Sequence, residues 1–465
     1  MSTLHRIMVA VALVVVISGA AYSLGLFNRP PKAAFAYRTP TRTLKYIAPT
    51  DRDLIIFTNE STDPETPLEK LISNWYVRYN GTGDWKHLNS STHHWGRLPL
   101  SNDKGHEVKL IVSDGVKEDS TVVVLLVDPG NMPEYGNEKL DIPIKGISYL
   151  VGRQFLYSPT FRDELELREQ LDVIKNELRC NALKIYGDYE DWLVRSAEIA
   201  IDKGFETIAV APLYRMANKT AEIDIEENIR RVAALSKRVE ELRLKSDRIL
   251  LMLPCELSLE VIGIRSGTTY ADRQKQLSSQ WRSQEIFNRL NFYLDKMTNE
   301  VRKNYHGQIT YGKLAGGDQG GGCEKVDWNR LGLDIVGAQE YWNKRYFSRE
   351  QVLKTLLDLK PYGKPIWITE FGCCSYEGAS QYGGAGGDYV YPNTNYDERE
   401  QARHIADQIG IYKAAKMDGI FLHAFCAGHW TTGNRYFGVM RALGDKMPIR
   451  RKLGFYAYQS YIVAA

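Results

Sequence analysis

Between Lys145 and Phe425 the chain alternates short apolar runs with amphipathic helical stretches, and this alternation restricts the fold more than any other feature. The apolar runs are Lys145–Leu150, Ala182–Tyr186, Thr207–Pro212, Ile249–Leu253, Gln308–Gly312, Asp334–Ala338, Ile366–Glu370 and Gly419–Phe425. Helical faces lie between them, such as Leu167, Leu171, Ile174 and Leu178, or Ile286, Leu290, Leu294, Met297 and Val301. A strand followed by a helix implies a parallel sheet, because parallel neighbours need a long crossover. Eight such units argue for a closed (β/α)8 TIM barrel over an open doubly wound sheet. An open sheet would carry a glycine-rich phosphate turn after its first strand, and Ser148-Tyr-Leu-Val-Gly152 is not one.

The barrel, residues 143–465, leaves room for more, and the chain reads as multidomain. Residues 1–27 include a continuously apolar or small stretch, Ile7 to Phe27, whose length is close to the ~20 residues that span a bilayer. We read it as a membrane anchor; Ser18-Gly-Ala-Ala21 would be the cleavage region if it is instead a signal peptide. Either way the remainder is expected at the cell surface or secreted. Four acceptor sequons, at Asn59, Asn80, Asn89 and Asn218, agree with that location. Residues 28–46, with Pro30, Pro31 and Pro40, read as a linker. The net charge of +3, with no basic stripe, gives no footprint for nucleic acid. No CxxC spacing occurs, so no thiolate metal site and no cofactor is expected; disulfides such as Cys323 with Cys373 or Cys374 are plausible outside the cell.

From 47 to 129 the pattern changes to short alternating strands separated by turn signals such as Asn80-Gly-Thr-Gly83, which predicts an all-β sandwich with Trp75 in its core. The segments Asn59-Glu-Ser-Thr-Asp-Pro64 and Gly105-His-Glu-Val-Lys-Leu-Ile-Val-Ser-Asp-Gly115, with the Trp75 strand, resemble the PKD and related immunoglobulin-like modules of surface proteins. That resemblance implies a spacer or adhesion unit.

Chemistry is expected where barrel strands end, because that rim carries the catalytic groups of this architecture. Glu370 closes the run Ile366-Trp-Ile-Thr, and a carboxylate there is costly to hold without a use. Glu256 follows the fourth strand, with Glu260 one helical turn on. Tyr186, Arg215, Tyr341, Trp342, His423, His429 and Trp430 fall at other strand ends and are the candidate substrate-binding groups. This layout resembles the clan of retaining glycosidases with an acid/base after strand four and a nucleophile after strand seven. The resemblance implies that Glu256 protonates the leaving oxygen and that Glu370 attacks the anomeric carbon. It also implies that Tyr341 hydrogen-bonds the nucleophile. The clan places Asn before the acid/base, whereas here that position is Cys255. A second resemblance rests on Cys180-Asn-Ala-Leu-Lys-Ile-Tyr-Gly187, Glu256-Leu-Ser-Leu259 with Gly263-Ile-Arg-Ser-Gly-Thr268, and Thr369-Glu-Phe-Gly-Cys-Cys-Ser-Tyr-Glu-Gly-Ala379. These are similar to barrel proteins labelled "abortive infection protein", a name that implies no reaction. The expectation is an extracellular retaining glycoside hydrolase acting on a polysaccharide or surface glycan. The alternative is a non-catalytic glycan-binding or structural cell-envelope barrel.

Overall fold

The computed structural model describes residues 29–40, 47–99, 101, 104–128, 140–152, 161–214, 224–267, 269, 272–273, 283–315, 324–383, 395–426, 437–441 and 449–463. The chain divides into two compact units, Met1–Gly130 and Asn131–Ala465. The apolar stretch Ile7 to Phe27 lies outside the described residues, as do Asn218, Cys323, Arg215, His429 and Trp430. Among the described residues no helix is long and apolar enough to cross a membrane.

The first unit holds two antiparallel sheets. Strands β1 (Phe35–Arg38), β2 (Ile55–Asn59) and β5 (His93–Gly96) form one, in the order β1-β2-β5. The other has the order β4-β3-β6-β7, from β3 (Ile72–Arg78), β4 (Lys86–Asn89), β6 (His106–Ser113) and β7 (Glu118–Leu125). Alternation along β2, β3 and β6 buries every second residue, as period-two patterning requires. Ile55 and Phe57 of one sheet meet Trp75, Val77, Val108 and Leu110 of the other in a single core, so the unit is a sandwich. Trp75 is fully buried and its indole N–H donates to the Ser91 carbonyl at 2.8 Å.

Two expectations need correction here. The linker assigned to 28–46 contains strand β1, because Phe35 and Tyr37 alternate onto the sandwich core and Phe35 meets Trp75 edge-on at 5.0 Å. Prolines on either side of that strand masked its pattern. Asn59 is not a glycan acceptor in the folded chain. Its side chain is 3% exposed, its amide donates to Ser73 Oγ at 2.8 Å, and its carbonyl accepts from Ser61 N–H at 2.8 Å. Asn80 and Asn89 are half-exposed.

The second unit is a closed barrel of eight parallel strands: β8 (Ile144–Leu150), β9 (Ala182–Gly187), β10 (Thr207–Pro212), β11 (Ile249–Leu253), β12 (Ile309–Leu314), β13 (Ile335–Gln339), β14 (Ile366–Phe371) and β15 (Gly419–Leu422). Pairing of β15 with β8 closes it. The helices are α1 (Glu164–Asp172), α2 (Glu190–Asp202), α3 (Ile225–Lys245), α4 (Leu257–Glu260), α5 (Gln284–Arg302), α6 (Arg349–Leu357), α7 (Glu398–Ala414) and α8 (Leu453–Val463). Asp163, Asp224, Ser283, Ser348 and Asp397 cap helix N-termini through their side chains, each satisfying a backbone N–H that the helix leaves open. Between β12 and β13 the described residues show turns and no helix.

The interior is layered, as in other parallel barrels. Its lowest layer is apolar: Ala182, Ala209, Leu250, Ile335, Trp367 and Phe421 come from six strands. Side-chain direction on β14 then changes. Trp367 faces inward with that layer, and Thr369 lies against Gly337 of the neighbouring β13 and Gly312 of β12 beyond it, while Phe371 packs outward on Tyr412 of α7 and Tyr458 of α8. Regular alternation would have turned Phe371 inward. The register explains the change: Ala338 pairs with Ile368 but Gln339 with Glu370, and on the other side Ile420 pairs with Ile368 but Leu422 with Phe371. One residue of β14 is extra relative to both neighbours. This is a β-bulge, a device that re-aims a side chain, and here it turns Glu370 to the barrel axis.

Candidate active site

Glu370 is 7% exposed and lies among a group within β9 and groups just after β13 and β15. The Lys184 ammonium, on β9 and 1% exposed, forms an ion pair with Glu370 Oε1 and reaches the Thr369 carbonyl at 3.3 Å. The Tyr341 hydroxyl, just after β13, donates to Glu370 Oε2 at 2.7 Å. His423 Nδ1, after β15, stands 3.8 Å from the same oxygen. Burial on its own would raise the carboxyl's pKa. The neighbouring Lys184 charge, His423, and the hydrogen bonds from Lys184 and Tyr341 outweigh it and bring the group down to about 2. Burial lowers the His423 pKa, Glu370 pulls it back up and the Lys184 charge adds to the lowering. Burial and the adjacent Glu370 charge raise Tyr341 well above the ordinary phenol, so it stays a donor. The result is a desolvated, fully ionised carboxylate with one oxygen on an ammonium and the other on a phenol.

An aromatic wall surrounds it. The Tyr186 and His423 rings are 5.4 Å apart, Tyr341 and His423 6.1 Å, and Phe437 lies 5.3 Å from Tyr341 and 5.6 Å from His423. Gln401 of α7 fixes Phe437 by donating to its carbonyl and to that of Cys373, both at 2.8 Å.

Glu256 sits after β11 with φ 54° and ψ 33°, in the left-handed region. Such a conformation is rare for a residue with a Cβ and persists only where its surroundings impose it. They do so here through a second buried carboxylate. Glu324 accepts from the Ser258 N–H at 3.0 Å, the Leu314 N–H at 3.1 Å and the Tyr311 hydroxyl at 2.8 Å. The Tyr311 oxygen in turn accepts from the Leu257 N–H at 3.0 Å. The first turn of α4 is thereby tied to β12, and Glu256 is half-exposed at its start. Tyr341 feels the charge of both Glu370 and Glu256, and so does the Cys255 thiol, which burial and Glu370 push up. Cys255 faces the axis: a Cβ on Gly312 would fall 2.9 Å from Thr369 Oγ1, 3.4 Å from Cys255 Cβ and 3.5 Å from Gln339 Cγ. The strand ends carrying Glu256 and Glu370 therefore border one polar floor.

Of the residues named from sequence, Tyr186, Tyr341 and His423 gather around Glu370. Trp342 does not: its indole donates to the Phe347 carbonyl at 2.8 Å and its ring stacks on His404 of α7 at 5.6 Å, so it packs the barrel wall. Lys184, Glu324 and Phe437 were not anticipated in these roles. A signal for Lys184 existed, since a lysine within Ala182-Leu-Lys-Ile-Tyr186 is tolerable only beside an anion. Glu324 and Phe437 sit in loops without periodicity.

The molecule is thus a parallel eight-stranded barrel with two glutamates at the C-terminal ends of strands β11 and β14. No family model matches the chain, and no curated protein does. Solved structures with similarity include a beta-glucuronidase from an uncultured Clostridium sp., at TM-score 0.41 and 13% identity over 92% of this chain and 68% of that one. A GH113 beta-1,4-mannanase aligns at TM-score 0.44 and 14% identity, over 70% of this chain and 99% of that one. A Faecalibacterium prausnitzii beta-glucuronidase aligns at TM-score 0.39 and 11% identity, covering 92% and 65%.

Proposed function

We propose that the barrel is a retaining glycoside hydrolase, with Glu370 as nucleophile and Glu256 as acid/base, acting outside the cytoplasm on a polysaccharide or surface glycan. The observation that carries this reading is the state of Glu370: buried, ionised and aimed at the axis by the β14 bulge. A carboxylate stripped of water and held by two directional donors is a competent attacking group at an anomeric carbon. In the attack, an oxygen of Glu370 bonds to the anomeric carbon while the glycosidic oxygen leaves with the proton of Glu256. Water then cleaves the glycosyl ester after giving a proton back to Glu256. Lys184 and the Tyr341 hydroxyl hold the nucleophile's orientation, and Tyr186, His423 and Phe437 offer apolar faces to a sugar ring. The apolar segment Ile7 to Phe27 would tether the enzyme to a membrane, or direct its export if cleaved.

A second reading is a barrel that binds glycans without cleaving them, and Cys255 favours it by withholding the amide that would grip a sugar 2-hydroxyl. One experiment separates the two. Glycans are screened for turnover with the parent, Glu370→Gln and Glu256→Gln, alongside peptide mapping after a 2-deoxy-2-fluoroglycosyl fluoride. The enzyme reading expects turnover to fall by at least about a hundredfold in both variants and the label on Glu370. Glycan affinity without turnover in the parent supports the second reading, and a label on another residue defeats the assignment of the nucleophile.

A further inference from the structure

We propose that His106 is an acid-operated latch in the sandwich: its neutral imidazole ties the turn 79–83 to the segment at Pro99, and protonation releases the turn. Even-numbered side chains of β6 point into the core, so His106 heads the buried row Val108, Leu110 and Val112. A ring at such a position needs partners for its polar atoms, and both nitrogens have one. Nδ1 accepts from the Asn80 N–H at 3.1 Å, and Nε2 stands 2.7 Å from the Pro99 carbonyl. These partners fix the tautomer, because a carbonyl calls for a proton on Nε2 and a backbone N–H for a bare Nδ1. The ring is therefore neutral, with both nitrogens used.

The turn leans on this ring. Asn80 lies in the left-handed region, with φ 56° and ψ 28°, a conformation that a residue with a Cβ holds only with support from its surroundings. The bond to Nδ1 is part of that support. A proton on Nδ1 would set one donor against another, break this bond and leave a charge in the core. The groups around the ring do not offset that charge. Tyr79 meets it edge-on at 5.2 Å, and the Lys86 ammonium stands 5.2 Å from the Tyr79 centroid. Lys104 flanks Gly81 in the same turn. From β7 the ladder partner is the apolar Leu125, and on β6 itself Glu107 turns to the other face to pair with Arg78. Two ammonium groups thus border the turn, and among the described residues no carboxylate acts on the imidazole. Burial holds the ring below its ordinary 6.5, against the pull of the Pro99 carbonyl. As pH falls below 6.5 the open turn, with its histidine in water, takes up the proton first, so acid favours opening. This latch lies in the sandwich and is independent of the barrel's chemistry.

The test is deuterium exchange of the full chain at intervals from pH 7.5 to 4.5, with the intrinsic exchange rate divided out. Protection of the peptide spanning 79–85 should fall about tenfold or more across that range, while peptides from β3 and β7 keep theirs. His106→Gln and His106→Asn remove the titrating group and should show a low protection of 79–85 that does not vary with pH. Nitrogen chemical shifts of labelled histidine in the parent, which need no variant to fold, should show Nε2 protonated and Nδ1 bare at pH 7. Unchanged protection of 79–85 down to pH 4.5, the parent's pH dependence in a folded variant, loss of protection in β3 and β7 at the same pH, or a proton on Nδ1 at pH 7 would each overturn the latch.

Discussion

At the scale of single residues the most consequential pair is Lys184 with Glu370. Each makes the other tolerable: an unpaired ammonium or carboxylate at that depth would neutralise rather than remain charged. Lys184→Met removes the cation that brings the carboxyl down to about 2, leaving burial to raise it. The acidic limb of kcat/KM should then move to higher pH, and the folded protein should lose roughly 3 kcal/mol or more. A pH–rate profile and urea titration check both, and an unmoved acidic limb would show that Lys184 does not set the nucleophile's ionisation. This scale also shows what the sequence could disclose. Glu370 was legible because a carboxylate ending an apolar strand is conspicuous in one dimension. Its partner was not, because the pairing joins residues 184 and 370 across the barrel. Trp342 misled because an aromatic residue beside a strand end has the same appearance whether it faces the axis or the helices.

At the scale of elements, α4 depends on Glu324. That carboxylate serves two backbone N–H groups and the Tyr311 hydroxyl, all buried. Glu324→Gln keeps the volume but cannot accept from all three with its amide. The variant should lose about 1–3 kcal/mol of stability, with kcat falling more than KM changes, because the start of α4 carries Glu256. Thermal unfolding and steady-state kinetics measure the two effects; an unchanged kcat would detach Glu324 from the positioning of Glu256. The barrel strands were legible because strands with both faces covered read as continuous apolar runs. The bulge in β14 was not, since an extra residue shows itself only against the register of its neighbours.

At the scale of the whole molecule, several buried titratable groups shape the pH response, Glu370 and His404 on the acid side and Lys452 on the alkaline side among them. Glu370 has a folded pKa of about 2 against an ordinary 4.5. The unfolded chain therefore binds protons first as pH falls, and the stabilisation, complete above 4.5, is lost progressively toward 2. Lys452 is buried and hydrogen-bonded to Ser375 Oγ at 2.8 Å; burial lowers it from 10.5 to about 8. Here too the unfolded chain holds the extra proton, between 8 and 10.5, so stability rises with pH across that window. Denaturant titrations at intervals from pH 3 to 10 should find the barrel weakest in acid; above pH 8 Lys452 adds stability while the buried Cys180, Cys255 and Cys373 thiols, raised from 9.0, remove it, so the Lys452 contribution is read as the difference between the parent and Lys452→Met. A difference that does not grow above pH 8 would place the controlling group elsewhere.

The extra residue in β14 also bears on how this chain tolerates change in length. Below it, odd-numbered side chains look inward; above it, the parity is reversed and an even-numbered acid takes the axis. Losing either Ile368 or Thr369 would remove that excess and restore plain alternation, with the acid still inward opposite Gln339 and Phe371 still against the helices. The strand can therefore give up one residue just ahead of its acid without turning that acid away from the axis.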